Sequence, residues 1–494
     1  MSRSSLALIA LLIVPIGLLA QSPATKQAPY ADKLYHKPTP VPDRVILTWT
    51  GDPATTQAMT WRTDTSVTKP VAQIAVSEDG PSFDYTNRRK GQKAPPRPDP
   101  EKVRTAPAET SPLVTDLGEC LCHSATFDGL RPRTKYVYRV GDGTNWSEWF
   151  QFETPSDQPA PLRFIYFGDA QNDVKSHWSR VVRGAYSDMP KAHFILHAGD
   201  LINRANNDAE WGGWHAAAGW INGMVPVVPT PGNHEYASPQ QGGKRILSGH
   251  WRPQFELPKN GLPGLEETCY YLDVQGVRIV SLNSNERHEE QVPWLEKVLS
   301  DNPNRWTVVT FHHPLYSTAA GRQDKEEGKA VRRLWRPLFD RYGVDLVLQG
   351  HDHSYGRSGL MREDNVLDGT QVHTEKGTVY CVSVSGPKLY ELGSQPWMVA
   401  KADGKQLYQL VTIDGTRLHY ESRTAKGDLF DEFELRKRAD GGNTLVEREQ
   451  LEAERAGSLR ESPTRGQLVV ALAGMVGLAG LYGIYRMWRG NGVG

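Results

Sequence analysis

The chain has 494 residues, enough for two or three domains with substantial cores. Its 57 Lys and Arg balance 57 Asp and Glu, which excludes nucleic-acid binding by bulk electrostatics, and no nucleic acid is expected as a partner. Fourteen Trp and 34 Pro suit a sandwich module with long structured loops better than a helical bundle.

Residues 1–20 carry Arg3, an apolar run and a small residue at the end, the layout of a secretory signal. A retained signal anchor is the alternative, and no cysteine follows the run to take a lipid. Residues 21–42 are polar and Pro-rich and read as a linker. Over 43–155 short alternating segments such as VILTWT, QAMTWRT and KYVYRVG are separated by turn clusters, which predicts a β-sandwich of about a hundred residues. GQKAPPRPDPEK inside it is too Pro-rich and charged for a strand and reads as an exposed loop.

Between 160 and 425 apolar runs alternate with helical patterns, which predicts an α/β layered core. Residues 434–466 are charged and weakly helical and read as a stalk. Residues 468–485 (LVVALAGMVGLAGLYGIY) form a second apolar run, followed by Arg486 and Arg489. Its length just spans a bilayer, and the arginines would hold that end in the cytoplasm. The expected arrangement is an exported body (periplasmic or extracellular) tethered to the membrane by its tail; a sorting signal that is later cut has the same appearance. The four cysteines, Cys120, Cys122, Cys269 and Cys381, lack paired CxxC spacing and are expected to give at most one disulfide.

Five apolar runs end in oxygen- or nitrogen-rich motifs: LRFIYF-GDAQ, HFILHA-GDLIN, VPVVPTP-GNHE, WTVVTF-HHP and DLVLQ-GHDH. Polar groups gather at strand C-terminal ends in open α/β sheets. Carboxylate, amide oxygen and imidazole without thiolate suit Fe, Mn or Zn. A pair of such ions roughly 3.5–4 Å apart suits in-line attack at phosphorus.

This ordered set resembles the calcineurin-like metallophosphoesterase superfamily, and the preceding fibronectin type III-like segment makes the chain similar to purple acid phosphatases. The resemblance implies a β-sandwich flanked by helices in αββα layers, and a dinuclear centre of two divalent or mixed-valence ions. It implies that Asp169 binds the first metal, Asp200 bridges both, and Asn233 and His312 bind the second. His351 would complete the second site and His353 the first, while His234 would assist the leaving oxygen. His312 is preferred to His313 by its spacing to Pro314.

The first metal site departs from the family. Where many relatives carry D-x-H the third residue is Gln171, and where purple acid phosphatases carry the tyrosine of GDxxY there is Asn203. Gln171, Asn203 or water would then fill the gap, an all-divalent pair is favoured, and no purple colour is expected. Arg357 is a candidate for substrate phosphate, or for a structural ion pair. His215 and His250 are candidates for the rim; Tyr236, Tyr316 and Arg322 sit on motif-bearing loops and receive no role. The implied reaction is phosphomonoester hydrolysis by metal-hydroxide attack. A phosphodiesterase or nucleotide hydrolase, or a catalytically silent surface binding protein, are the alternatives.

Overall fold

The structure, a computed structural model, describes residues 32–84, 98–238, 243–322, 325–363 and 377–461. The expected signal and the expected membrane segment lie outside these residues. Among the described residues no helix is long and apolar enough to cross a membrane.

A single helical turn, α1 (Asp32–Tyr35), precedes an all-β domain. Its strands are β1 (Asp43–Thr48), β2 (Gln57–Thr63), β3 (Val71–Val76), β4 (Arg104–Pro107), β5 (Glu109–Thr115), β6 (Gly118–Phe127), β7 (Lys135–Gly141) and β8 (Phe150–Glu153). They form two four-stranded antiparallel sheets, ordered β1-β2-β6-β5 and β4-β3-β7-β8. Alternate residues point inward, so Met59 and Trp61 of one sheet meet Ile74, Tyr138 and Phe152 of the other in one core. All four cysteines are free and buried.

The second domain is built on β9 (Leu162–Phe167), β10 (Phe194–His197), β11 (Val227–Pro229), a short hairpin of β12 (Tyr236–Ala237) and β13 (Ile246–Leu247), β14 (Tyr270–Val274), β15 (Val277–Ser281), β16 (Trp306–Phe311), β17 (Leu346–Gln349), β18 (Tyr355–Ser358), β19 (Val379–Val382), β20 (Met398–Ala402), β21 (Leu407–Asp414), β22 (Arg417–Thr424), β23 (Leu429–Lys437) and β24 (Asn443–Glu447). The helices are α2 (Ser179–Asp188), α3 (Asp208–Ala218), α4 (Trp251–Gln254), α5 (His288–Ser300), α6 (Glu326–Tyr342) and α7 (Arg448–Glu461).

Two seven-stranded sheets result, ordered β11-β10-β9-β21-β22-β23-β24 and β14-β15-β16-β17-β19-β18-β20. Strands β15, β16 and β17 are apolar on both faces because both faces are covered. Ile279, Val308 and Leu346 face the other sheet, in a core shared with Phe164 and Val411. Their chain neighbours Val280, Val309 and Val347 pack on Leu295, Trp335 and Phe339 of α5 and α6. Helices α2 and α3 belong to the first core. The layers are therefore helix, sheet, sheet, helix, as the resemblance implied.

Residues 434–461, expected to form a charged stalk, do not. Strands β23 and β24 extend the first sheet, and α7 packs against both. Their charges are paired: Glu434 with Arg417, and Glu432 with Arg455 and His419. Alternating strands whose outward residues are ion-paired have the composition of a solvated segment, which is why the sequence pattern misleads here.

The two domains meet at a buried charge cluster. Arg44 of β1 bonds both carboxylate oxygens of Asp208 at 2.7 and 2.8 Å, and Arg62 of β2 reaches Asp208 at 3.1 Å. Asp208 is 1 % exposed. Burial pushes its carboxyl upward, but the His250 hydrogen bond and the two guanidinium groups prevail and hold it well below the ordinary range. Asp208→Ala would leave the buried Arg44 guanidinium without its carboxylate and Arg62 with Asp43 alone. It is expected to cost about 3–5 kcal/mol of unfolding free energy by denaturant titration. Because the folded carboxyl is depressed, this contribution is fully present above about pH 4, the unfolded value, and is lost as the pH falls below it. A change well under 1 kcal/mol, or one that does not fade in acid, would contradict this role.

Candidate metal centre

The five motifs converge because their strands are adjacent in the two sheets: β9, β10 and β11 in one, β16 and β17 in the other. Each turns sharply at its C-terminal end. Gly199 takes φ +89°, and a Cβ there would stand 2.6 Å from the Gly232 nitrogen and 2.7 Å from His312 Nδ1. Only glycine permits that approach of three loops. Asp200 and His351 themselves adopt φ +52° and +72°, a conformation that costs energy for side chains and must be held by its surroundings.

Two clusters of candidate ligands result, and they share Asp200: Asp200 with His312 and His351, and Asp169 and Asp200 with His353. Asp200 Oδ2 lies 3.1 Å from His312 Nε2, and Asp169 Oδ2 lies 3.1 Å from His353 Nε2. Asn233 Oδ1 is 3.1 Å from His312 Nε2 and 2.8 Å from His351 Nδ1. Thus Asp169, Asp200, Asn233, His312, His351 and His353 stand together at one place. His313, by contrast, turns its ring to Ser284 Oγ at 2.9 Å.

Backbone carbonyls fix the imidazoles from behind. His312 Nδ1–H donates to the Ala198 carbonyl at 2.8 Å, and His353 Nδ1–H donates to that of Lys388 at 2.7 Å. Both therefore present Nε2 inward, the usual second contact of a metal-binding histidine. His234 is oriented likewise. Its Nδ1–H donates to the Asn203 carbonyl at 2.5 Å, leaving Nε2 facing the cluster 3.9 Å from Asp200 Oδ2.

The electrostatics favour cations. Asp169 and Asp200 are 0 and 1 % exposed, yet Asp169 Oδ2 has no hydrogen-bond donor. Burial opposes a charged His312, but Asp200 and Asp169 overcome it and raise that imidazole to about 9. A buried carboxylate oxygen without a donor, beside inward-facing imidazole nitrogens and an amide oxygen, is a donor set that fits divalent metal ions.

The two departures from the family occupy different places. Gln171 is buried, and its amide nitrogen sits 3.1 Å from Asp200 Oδ2 and 2.9 Å from His353 Nε2. Its own Oε1 has no partner. The Gln171 amide therefore stands within the Asp169–Asp200–His353 cluster, where an exchange of its oxygen and nitrogen would offer a ligand atom. Asn203 is tied through its backbone: its carbonyl accepts from His234, and its N–H donates to Glu210 at 2.8 Å.

Arg357, a candidate for substrate phosphate, is only 2 % exposed and already paired. It is buried in β18, bonded to Asp431 at 2.8 Å and to Glu447 at 2.8 Å, the structural ion pair that was its alternative. These partners were hidden because GHDHSYGR leads straight into a strand. His215 and His250 are also buried, against Gln254 and Asp208, and do not line the rim.

Sequence reading passed over three residues around the site. Glu235, the last residue of GNHE, is fully buried and accepts from the N–H groups of Asp200, Leu201 and Gly232 at 2.9, 2.8 and 2.7 Å. It thereby joins the two loops that carry Asp200 and Asn233; its position beside Asn233 and His234 was the available signal. Arg322 donates to the His351 carbonyl at 3.2 Å and to Asp352 at 3.1 Å. It also lies 5.0 Å from the ring of Tyr390, whose centroid is 4.4 Å from that of His353 with the two rings tilted by 33°. Nothing in the local sequence of Tyr390 marks it.

Glu235→Gln would set an amide N–H against backbone N–H donors and loosen both loops. Metal affinity, measured by competition with a chelator, is expected to fall about 10–100-fold with the fold retained by circular dichroism. Unchanged affinity would remove Glu235 from the account.

The comparisons with known proteins agree with this geometry. Residues 162–355 match the calcineurin-like phosphoesterase family, and residues 42–154 match the purple acid phosphatase N-terminal domain. Human (Homo sapiens) acid phosphatase type 7 is 25 % identical over 424 residues, covering 78 % of this chain and 88 % of that protein. A purple acid phosphatase of Glycine max is 28 % identical over 293 residues, 55 % of this chain and 61 % of its own. A purple acid phosphatase from yellow lupin (Lupinus luteus) seeds shares the fold, with TM-score 0.66 and 20 % identity over 81 % of this chain and 75 % of that one. The chain carries a calcineurin-like phosphoesterase domain behind a purple acid phosphatase N-terminal domain, and the relatives it resembles are acid and purple acid phosphatases.

Proposed function

We propose that the chain is an exported phosphomonoesterase whose metal centre is held by Asp169, Asp200 and His353 on one side and by Asp200, Asn233, His312 and His351 on the other. The observation that carries this reading is Asp200, whose buried carboxylate belongs to both ligand clusters. Two cations held there would lower the pKa of water toward about 7 and neutralise charge developing on the phosphoryl oxygens.

The residues supply the rest. Asp169 and Asp200 give the negative charge that binds the cations, and their burial keeps bulk water from screening it. His234 faces the cluster at the mouth of the site with its Nδ1–H fixed by Asn203. In its protonated form Nε2–H is placed to give a proton to the departing alcohol oxygen. Gln171, whose amide nitrogen now lies against Asp200 and His353, would take the place of the family's missing first-site histidine once its amide is turned to present the oxygen as a neutral ligand. Without a tyrosine at position 203, an all-divalent pair is the expected composition.

Export and tethering rest on the apolar runs at 1–20 and 468–485, together with Arg486 and Arg489. The catalytic part of the reading is tested by loading the purified protein with Mn, Zn or Fe and comparing an aryl phosphomonoester with the matching diester. Monoester turnover is expected, with Asp200→Asn lowering kcat at least about 10³-fold, as for loss of a group that holds both halves of the centre. Gln171→Ala is expected to weaken metal binding at one site of two. Preferred diester turnover would replace the monoesterase reading, and no turnover with any metal would leave a binding protein.

A further inference from the structure

The three imidazoles of the centre are not held alike. His312 and His353 each donate Nδ1–H to a backbone carbonyl and present Nε2. His351 presents Nδ1 instead, 2.8 Å from Asn233 Oδ1 and 3.2 Å from His312 Nε2. Among the described residues no hydrogen bond fixes its Nε2, the contact that ordinarily orients a metal-binding histidine. The direction of this imidazole therefore depends on its backbone.

That backbone is strained. The Asp352 N–H donates to the Gly350 carbonyl at 2.9 Å across His351, whose φ is +72°. A three-residue turn with this φ is the rarer γ-turn, which costs energy and persists only when its surroundings fix it. On the upstream side the Gly350 N–H donates to the His312 carbonyl at 3.1 Å, and the His351 N–H donates to Asp169 Oδ1 at 2.6 Å. On the downstream side the holder is Arg322. Its Nη1 reaches the His351 carbonyl at 3.2 Å and Asp352 Oδ1 at 3.1 Å, so one guanidinium closes the turn through its last two residues.

Asp352, the residue of GHDH between the two histidines, anchors that guanidinium. It is 1 % exposed, and its Oδ2 accepts from Ser317 Oγ at 2.5 Å and from the Thr318 N–H at 2.8 Å. His353 needs no such support, because the Lys388 carbonyl holds its Nδ1–H directly.

We infer that Arg322 is a positioning residue for the second metal ion: anchored by Asp352, it locks the strained turn that aims His351 Nδ1. The inference rests on the two-metal reading and assigns the lock to one half of the centre. Its sign is diagnostic. Replacing Arg322 by a neutral side chain removes a positive charge near the site, which by electrostatics alone would tighten cation binding. Loss of positioning would weaken it.

The test uses the full chain as purified and after loading with Mn. In the first state, hydrogen exchange over residues 350–354 follows the turn. In the second, chelator competition with metal content measured at each step gives the affinity of each ion. Arg322→Met is expected to speed exchange in this segment about tenfold and to weaken one ion about tenfold while the other is unchanged. Arg322→Lys, which keeps the charge and a donor, is expected to fall between Arg322→Met and the wild type. Tighter binding in Arg322→Met, equal weakening of both ions, or exchange and affinities that match the wild type would overturn the lock. Faster exchange in Arg322→Met of a protein that takes up only one ion even as wild type would support the lock and overturn the two-metal reading instead.

Discussion

Burying the carboxylate of Asp200 is the constraint on which the catalytic half of the molecule depends. An isolated buried carboxylate is among the costliest groups a fold can contain. Here it lies beside a second buried carboxylate, Asp169, at the end of the neighbouring strand. Inward-facing imidazole nitrogens offset part of that cost, and bound cations would offset more. The arrangement of five strand ends, four of them followed by a glycine and with Gly199 packed against Gly232, brings together enough donors to make such a charge tolerable. Glu235 ties two of those ends, so the carboxylate geometry does not rest on the metal alone.

The N-terminal domain is connected to this chemistry by contacts that can be followed atom by atom. Arg44 and Arg62 seize Asp208 in the first turn of α3. Two residues along that helix, Glu210 takes the N–H groups of Asn203 and Arg204 at 2.8 and 2.7 Å. The Asn203 carbonyl then orients His234. The all-β domain therefore acts as a brace for the loop that aims the candidate proton donor. Asn203 serves this purpose with backbone atoms, which any residue could supply. This explains how the family's tyrosine can be absent without loss of the loop.

Most of the fold was legible because its strands are apolar and separated by turn residues, and because five of them end in a motif whose residue types leave few chemical choices. The candidate ligands were legible for the same reason: Asp169, Asp200, Asn233, His312, His351 and His353 are each one to four residues past a strand end. What the sequence could not carry was direction across the chain. Arg357 follows GHDH by only a few residues, yet β18 turns its side chain toward Asp431 and Glu447. Arg322, passed over on a neighbouring loop, holds the His351 carbonyl instead. The charged segment 434–461 was misread because its ion pairs are long-range, as in Arg436 with Glu454, and a single sequence does not reveal such partners.

Metal stoichiometry is the most direct test of the central claim. Anomalous diffraction from crystals of the purified protein, recorded at the absorption edges of the metals it contains, would count and place the ions. Two ions are expected on either side of the Asp200 carboxylate, one beside Asp169 and His353 and the other beside His312 and His351. A single ion at full occupancy under saturating metal, or a pair that does not share Asp200, would contradict this.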